Sequence, residues 1–137
     1  RFMSYEPKII WTPDRHWETS YEAGIQYGET KIGERTRLTP LWNITQQIRL
    51  SYIFSPIEVN LSLQHYHNDV SADQAVNAVF ADLSIGWKAK RWQIMGTATN
   101  LFDKRTYGYT EYTSLESYTS WVRIRPREFL VSVRYQL

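Results

Sequence analysis

Residues 127–137, Arg-Glu-Phe-Leu-Val-Ser-Val-Arg-Tyr-Gln-Leu, decide the fold of this chain. Every second residue is apolar or aromatic, and this set comprises Phe129, Val131, Val133, Tyr135 and Leu137. The residues between them are polar except for Leu130. Such alternation predicts a β-strand with one apolar and one polar face. The length also matches the ~9–11 residues that a tilted strand needs to cross a bilayer, whereas most soluble strands have ~5–6 residues.

The same alternation recurs upstream, and no stretch has helical periodicity. It predicts strands at about residues 5–12, 17–27, 42–54, 57–64, 81–89 and 92–99, with the closing strand beginning near Trp121. We expect the apolar side to carry Leu83, Ile85 and Trp92, and the polar side to carry Asp82, Ser84 and Gln93. Two further polar-side residues, Arg49 and Gln64, are expected to line a wet interior or to contact a plug.

The connections between these strands alternate in length. Residues 12–15, 55–56 and 90–91 predict short turns, and residues 28–40, 68–77 and 100–120 predict long polar loops. Outer-membrane barrels have short periplasmic turns and long extracellular loops. We therefore predict an all-β fold, an antiparallel up-and-down meander of about seven strands that forms part of a transmembrane β-barrel, with residues 1–137 as a single unit. An odd number of strands starting on the outside indicates a piece of a larger barrel.

The composition is compatible with this prediction. The chain has 137 residues, no cysteine, 10 Tyr and 6 Trp, and Tyr and Trp favour membrane–water interfaces. A mean hydropathy of −0.50 does not argue against a barrel, because alternating strands average to low hydropathy. A net charge of +2 with interspersed charges does not indicate a nucleic-acid partner. No secretory signal pattern is present at residues 1–5.

Two motifs within residues 100–137 resemble the C-terminal end of TonB-dependent outer-membrane receptors. The first is Asn100-Leu101-Phe102-Asp103-Lys104 with Tyr107 shortly after it. The second is Pro126-Arg127 followed by the alternating run through Phe129 and Tyr135. The family ends in Phe, whereas the corresponding residue here is Leu137. Through this resemblance, the residues assigned to the family motif and barrel closure are Asn100, Leu101, Phe102, Asp103, Pro126, Arg127, Phe129, Tyr135 and Leu137.

The resemblance implies a function and a set of partners. The whole protein would be a barrel of ~22 strands with a plugged lumen in the outer membrane of a Gram-negative bacterium. It would import an iron chelate, vitamin, glycan or peptide. The implied partners are outer-membrane lipid, the barrel-assembly machinery through the C-terminal strand, and an energising inner-membrane complex through an N-terminal region that this sequence lacks. An isolated piece would self-associate through its unpaired strand edges.

Two alternatives fit the same sequence. One is a small complete outer-membrane barrel of about eight strands, an adhesin or stability protein, in which residues 107–113 and 117–125 would be extra strand. The other is a soluble β-sandwich that acts as a binding module. Detergent partitioning separates the sandwich from both barrels, and the coding sequence upstream of Arg1 separates the two barrels.

The residues that could carry chemistry are few. Aromatics in the last loop can bind ligands by stacking, and the candidates are Tyr109, Tyr112, Tyr118 and Trp121. His65, His67 and Asp69 share a strand face at a spacing compatible with a metal ion. That face continues Leu61 and Leu63, so we interpret the histidines as rim residues and predict no metal and no cofactor. Because no nucleophile elbow or phosphate-binding glycine pattern is present, we predict that the chain is not an enzyme.

Overall fold

The computed structural model describes residues 2–30, 39–71, 74–112 and 117–136, and within them it contains strands and no helix. The strands are β1 (Phe2–Tyr5), β2 (Lys8–Asp14), β3 (Trp17–Thr30), β4 (Thr39–Phe54), β5 (Ile57–Ser71), β6 (Gln74–Ala89), β7 (Trp92–Thr99), β8 (Thr106–Tyr112), β9 (Ser117–Arg123) and β10 (Glu128–Tyr135). In this part of the chain, no helix is long and apolar enough to cross a bilayer.

Eight of the strands form one antiparallel sheet in the order β1-β3-β4-β5-β6-β7-β10, with β2 also paired to β3. The strands β1 and β2 pair one after the other with the same edge of β3, since Tyr5 pairs with Ile25 and Lys8 pairs with Glu22. Pro7 lies at the break between them, where it has no N–H for the ladder, and its carbonyl oxygen accepts the Ala23 N–H at 3.0 Å. The predicted all-β antiparallel meander is therefore confirmed. The path through the main sheet has seven positions, but the described residues contain ten strands in all, against the predicted seven or so.

The sheet is staggered at its turn end. The β3–β4 ladder ends at Trp17 and Tyr52, but β4 continues to Phe54, which pairs with Ile57. The next ladder, β5–β6, ends at the pair of Ile57 with Trp87, and β6 continues by two residues to Ala89. Each hairpin thus extends two residues beyond the one before it. Such a stagger accompanies strand tilt when sheets close into barrels.

Two of the short turns lie where the sequence predicts them, at residues 55–56 and 90–91. The first was predicted at residues 12–15 but lies at residues 15–16, because residues 12–14 belong to β2. The opposite end differs from the prediction. Residues 72–73 lie outside the described residues, and the rest of 68–77 is strand, since Asn68 pairs with Val76 and Ser71 pairs with Gln74. The strands β3 and β4 likewise extend into residues 28–40, of which 31–38 lie outside the described residues. Backbone ladders keep these polar segments extended although they lack the hydrophobic alternation on which the prediction was based.

Residues 100–120 also contain more strand than predicted, although residues 113–116 lie outside the described residues. The closing strand begins at Glu128 and not near Trp121 as predicted, because Trp121 belongs to β9. The strands β8 and β9 form a hairpin that is a separate two-stranded sheet, with Thr106 paired to Arg123 and Tyr112 paired to Ser117. It lies beyond the paired ends of β7 and β10, where Thr99 faces Glu128. The chain therefore leaves the main sheet through β7 and β8 and returns through β9 and β10, a stretch that we call the long excursion. It is interrupted twice, between β7 and β8 and between β9 and β10.

The registers divide the sheet into two chemically distinct faces, because residues paired across strands share a face. One face is apolar and is interrupted by Gln46; it includes Ile25, Ile44, Ile48, Leu50, Val59, Leu61, Leu63, Leu83, Ile85, Ile94, Val131 and Val133. The other is polar and includes Glu22, Gln47, Arg49, Asn60, Ser62, Gln64, Asp82, Ser84, Gln93 and Arg134. The prediction that one face carries Leu83, Ile85 and Trp92 and the other carries Asp82, Ser84 and Gln93 is confirmed.

Candidate functional site

Aromatic side chains mark the two borders of the apolar face, as a line across several strands near the short turns and as a single pair on β3 and β4 toward the other end. The line near the short turns comprises Trp17, Tyr52, Trp87, Trp92 and Tyr135. Its position shifts from strand to strand because successive hairpins are staggered by two residues. Rings of neighbouring strands touch along it, with centroids 5.6 Å apart for Trp17 and Tyr52 and 4.8 Å apart for Trp92 and Tyr135. Toward the other end, Tyr27 and Trp42 pair with centroids 4.8 Å apart.

The two borders are ten residues apart on β3 and on β4, from Trp17 to Tyr27 and from Tyr52 to Trp42. On β6, ten residues separate Trp87 from Asn77, whose Oδ1 lies 2.8 Å from the ring Nδ1 of His67. Ten strand residues span ~33 Å. At a tilt of ~40° this length corresponds to a height of ~25 Å, the height of the outward apolar band of outer-membrane barrels. The apolar face therefore has the dimensions of a bilayer core with polar or aromatic side chains at both borders.

This apolar face is open. Phe129 is 72% exposed and Val131 is 70% exposed, and the buried apolar residues of the described chain are only Ala23, Leu41, Ala78 and Ala81. An uncovered apolar surface of this extent marks an interaction with lipid or with another protein.

Asn100 holds together the interrupted excursion after β7. Its side-chain Nδ2 donates hydrogen bonds to the carbonyl oxygens of Lys104 and Arg125, both at 2.8 Å, and its Oδ1 accepts the Lys104 N–H at 3.0 Å. Its own N–H donates to Asp82 Oδ1 at 2.8 Å. Asn100 is buried and has a φ of 51°, a conformation that asparagine tolerates better than most residues.

Asp103 completes the junction. The backbone N–H of Arg127 donates to its Oδ1 at 3.0 Å, and Arg105 Nη2 donates to its Oδ2 at 2.8 Å. These two contacts, that of Arg105 first, hold the pKa of the Asp103 carboxyl below its ordinary value. The Leu101 N–H donates to the Ala81 carbonyl oxygen at 2.9 Å, which fixes the same turn to β6. The motif therefore connects β6, the start of the hairpin and the return to β10.

The remaining motif residues lie outside these contacts. Phe102 is exposed, and Phe129 and Tyr135 lie on the apolar face. Pro126 lies on the return segment, next to a cavity on the polar face. Leu137 lies outside the described residues.

A cluster of aromatic rings interrupts the polar face near this junction. Tyr66 and Phe80 lie on the polar side of β5 and β6, with centroids 5.8 Å apart. Tyr107 of β8 contacts both, at centroid distances of 5.2 Å from Tyr66 and 6.2 Å from Phe80. Tyr109 stacks on Tyr107 at 6.1 Å and 18°. Burial raises the pKa of the Tyr107 phenol, and Tyr66 and Tyr109 raise it further, so the hydroxyl keeps its proton.

A cavity of about 530 Å³ opens beside this cluster. Three of the rings, Tyr66, Phe80 and Tyr107, form its aromatic side. The other lining residues are mostly polar and include Gln64, Asp82, Thr99, Arg125 and Glu128, together with Ile124 and Pro126. Concave sites with an aromatic wall and a few polar groups are the usual form of small-molecule sites.

A second cavity of about 430 Å³ lies at the β2–β4 end of the polar face. Two of its charged lining residues pair with each other, since Lys8 Nζ lies 2.7 Å from Glu22 Oε1, and Arg49 Nη1 lies 3.7 Å from the same oxygen. Arg49 Nη2 also donates to Gln47 Oε1 at 2.9 Å. Asn43 also lines it, and its buried Oδ1 has no hydrogen-bond partner among the described residues. Of the aromatic cluster, only Tyr66 reaches this second cavity, so the cavity beside Tyr66, Phe80 and Tyr107 is the stronger candidate site.

The structure brings one of the four predicted aromatic residues into the cluster. Tyr109 stacks within it, whereas Tyr118 is 64% exposed and does not line the cavity. Trp121 pairs with Gly108, and its ring lies so close that a Cβ at Gly108 would approach it at 2.8 Å. The side chain of Tyr112 lies outside the described residues.

Tyr66, Phe80 and Tyr107 were not among the site residues predicted from the sequence. Tyr66 and Phe80 could have been identified, because they are large aromatics at positions whose strand parity places them among amides and carboxylates. Tyr107 offered no such signal, since its meeting with the sheet depends on the junction at Asn100.

The histidines of β5 lie on the apolar face near its far border. His67 Nε2 lies 3.2 Å from Asp69 Oδ1. In the described ranges, no group of three or more His, Cys, Asp or Glu side chains could hold a metal ion.

Comparison with known proteins adds no relative: no family model, no curated protein and no solved structure matches this chain.

Proposed function

We propose that this chain forms part of the wall of a TonB-dependent receptor in the outer membrane of a Gram-negative bacterium, where the whole protein takes up a scarce nutrient. The observation that carries the proposal is the apolar face with its two borders ten residues apart. Lipid tails cover that face, and its two borders lie at the two interfaces. The opposite, polar face lines the lumen.

Three further features support this proposal. The two-residue stagger of successive hairpins is the geometry that tilted barrel strands require. The polar face offers amides, hydroxyls and charges along its length, as a wet lumen does. The Asn-Leu-Phe-Asp-Lys motif, through which the chain resembles the receptor family, forms the junction between β6, β7 and the hairpin.

In this account the described residues supply scaffold and lining, and no catalytic step is assigned to them. The β10 strand, with exposed side chains throughout, pairs with the first strand of the barrel and is the segment that the assembly machinery recognises. The energising inner-membrane complex contacts a part of the protein outside this sequence.

A small complete barrel is the second candidate, and one observation favours it. Residues 106–112 and 117–123 are strands, close to the segments that this alternative requires. They form their own sheet, however, instead of extending the main one. A sandwich is disfavoured because this second sheet meets the polar face, through Tyr107 and Phe80, and leaves the apolar face open.

Carbonate extraction of membranes tests the proposal. Cells that express the full-length protein are fractionated, and the outer membrane is washed with alkaline carbonate. We expect the protein to stay in the pellet and to be released by detergent; release by carbonate alone would contradict membrane insertion. The coding sequence upstream of Arg1 tests the receptor assignment, because it should encode a plug domain, and a signal peptide directly before Arg1 would favour the small barrel.

A further inference from the structure

We propose that the cavity beside Tyr66, Phe80 and Tyr107 binds an uncharged saccharide. A sugar ring lies against the aromatic wall, and its hydroxyl groups bond with the polar lining. This inference deepens the proposed function by naming the class of nutrient, and it rests on that function for the route by which the ligand arrives along the lumen.

The aromatic wall supplies the apolar contact. Tyr66, Phe80 and Tyr107 are each only half-buried, so ring surface remains open to the cavity. Their mutual packing, with interplanar angles between 55° and 81°, holds the rings in place before a ligand arrives. Because the rings are already ordered, little conformational entropy is lost on binding. A pyranose has one face of C–H groups, which an aromatic ring covers, and a rim of hydroxyls, which it does not.

The polar lining can accept and donate hydrogen bonds around that rim. Asp82 uses Oδ1 for the N–H of Asn100, which fixes the carboxylate and leaves its second oxygen as an acceptor. Glu128 is a second carboxylate, and Arg125 contributes a guanidinium donor. Gln64 Oε1 accepts the Tyr66 hydroxyl at 3.1 Å, so Gln64 adds chiefly its amide N–H donors, and Thr99 adds a hydroxyl that can act in either role. Hydroxyl groups need such a mixed set, because each is both a donor and an acceptor.

The charges of the lining argue against anionic ligands. Asp82 and Glu128 outnumber Arg125, so the charged part of the lining is net negative at neutral pH. An anionic iron chelate would have to lie against two carboxylates, and like charges brought together at a binding site are unfavourable. The volume of about 530 Å³ lies within the ~300–1,000 Å³ of small-molecule sites.

Binding to the full-length protein in amine-oxide micelles tests the inference, since glycoside detergents would compete. The probes are glucose, galactose, mannose, maltotetraose and cellotetraose, with ferric citrate as the anionic probe and choline as the cationic one. Saturation-transfer NMR and calorimetry measure the contact and the Kd. We expect at least one saccharide to bind and neither charged probe to bind.

Variants assign the binding to this cavity. We expect Tyr107→Leu and Phe80→Leu each to weaken saccharide binding at least tenfold, and Tyr107→Phe, which keeps the ring, to change it less than threefold. Tyr118→Leu is the matched control, because Tyr118 lies on the same hairpin but outside the cavity, and it should bind like the parent protein. Tyr107→Leu could detach the hairpin from the sheet and weaken binding for that reason alone. Phe80→Leu tests the same aromatic wall from the main sheet, because Phe80 lies on β6.

Three results would overturn the inference: no saccharide bound by folded protein, binding of ferric citrate or choline instead, or equal Kd values in all variants. The saccharide-binding test and the carbonate-extraction test can fail independently of each other. A carbonate-resistant protein that binds no saccharide refutes the saccharide site alone, and a carbonate-extracted protein that binds one refutes the membrane wall alone.

Discussion

Asn100 bonds to the backbone of Arg125, 25 residues further along the chain, through a 2.8 Å hydrogen bond from its side-chain Nδ2 to the Arg125 carbonyl oxygen. The same amide group spans the turn to Lys104. One buried side chain thus holds together the two segments that join the main sheet to the hairpin, the one between β7 and β8 and the one between β9 and β10. It thereby determines where the hairpin meets the sheet.

Replacing Asn100 should therefore destabilise the junction. Asn100→Ala removes three side-chain hydrogen bonds, each worth about 1 kcal/mol, and leaves an alanine at a positive φ, which costs about 1 kcal/mol more. We expect a loss of about 3–4 kcal/mol in the free energy of unfolding, measured by urea titration in micelles. Lys104→Ala keeps the backbone groups and should change little. An Asn100→Ala protein as stable as the parent would show that the junction is not held by this side chain.

Acid should loosen the same junction through Asp103. The contacts to Arg105 and Arg127 lower the pKa of its carboxyl in the folded protein, so the stabilisation is fully present above the unfolded pKa of ~3.9. It is lost as the pH falls through the lower, folded pKa. The amide shift of Arg127, which donates to Asp103, should titrate with a midpoint below ~3.9 and should be flat in Asp103→Asn. A midpoint at or above the ordinary value would contradict the assigned contacts.

Gly108 and Trp121 provide a test of the hairpin. A Cβ at Gly108 would lie 2.8 Å from the Trp121 ring, so Gly108→Ala forces that ring to move. Overpacking of this kind costs about 1–3 kcal/mol, and the cost should disappear when Trp121→Ala is added. Gly96→Ala is the control, because its nearest neighbour is 4.0 Å away. The melting temperature is measured for the parent, Gly108→Ala, Gly108→Ala combined with Trp121→Ala, and Gly96→Ala. A Gly108→Ala protein that melts at the parent temperature would contradict the close packing of Gly108 and Trp121.

The alternation of apolar and polar side chains predicted the strands and the face on which each side chain lies, because both depend on local sequence pattern. The parity of Leu83 and Asp82 follows from the period of two, and it agrees with the registers. Pairing of polar segments such as Asn68 with Val76 depends on the neighbouring strand, which the sequence does not display. The cavity was missed for a similar reason, because Tyr66 and Tyr107 are 41 residues apart and meet only after the junction has formed.

The free edges of the sheet predict how residues 1–137 behave as an isolated polypeptide. Among the described strands, the outer edges of β2 and β10 carry no strand partner, and the side chains of β10 are exposed throughout. Unpaired edges beside an open apolar face favour self-association. We expect multi-angle light scattering without detergent to show masses that rise with concentration. A stable monomer under these conditions would count against the open sheet.

The most direct test of the membrane wall compares Arg at two adjacent positions of β6. Leu83 lies on the apolar face between Leu61 and Ala98, and Ser84 lies on the polar face between Asn60 and Thr97. In the full-length protein, Leu83→Arg should cost about 2–4 kcal/mol if the residue lies near the bilayer midplane, and Ser84→Arg should cost far less because the lumen is wet. The fraction of folded barrel is measured by heat-modifiable gel mobility after outer-membrane preparation. We expect a large loss of folded barrel for Leu83→Arg alone. Equal losses, or a larger loss for Ser84→Arg, would contradict the assignment of the apolar face to lipid.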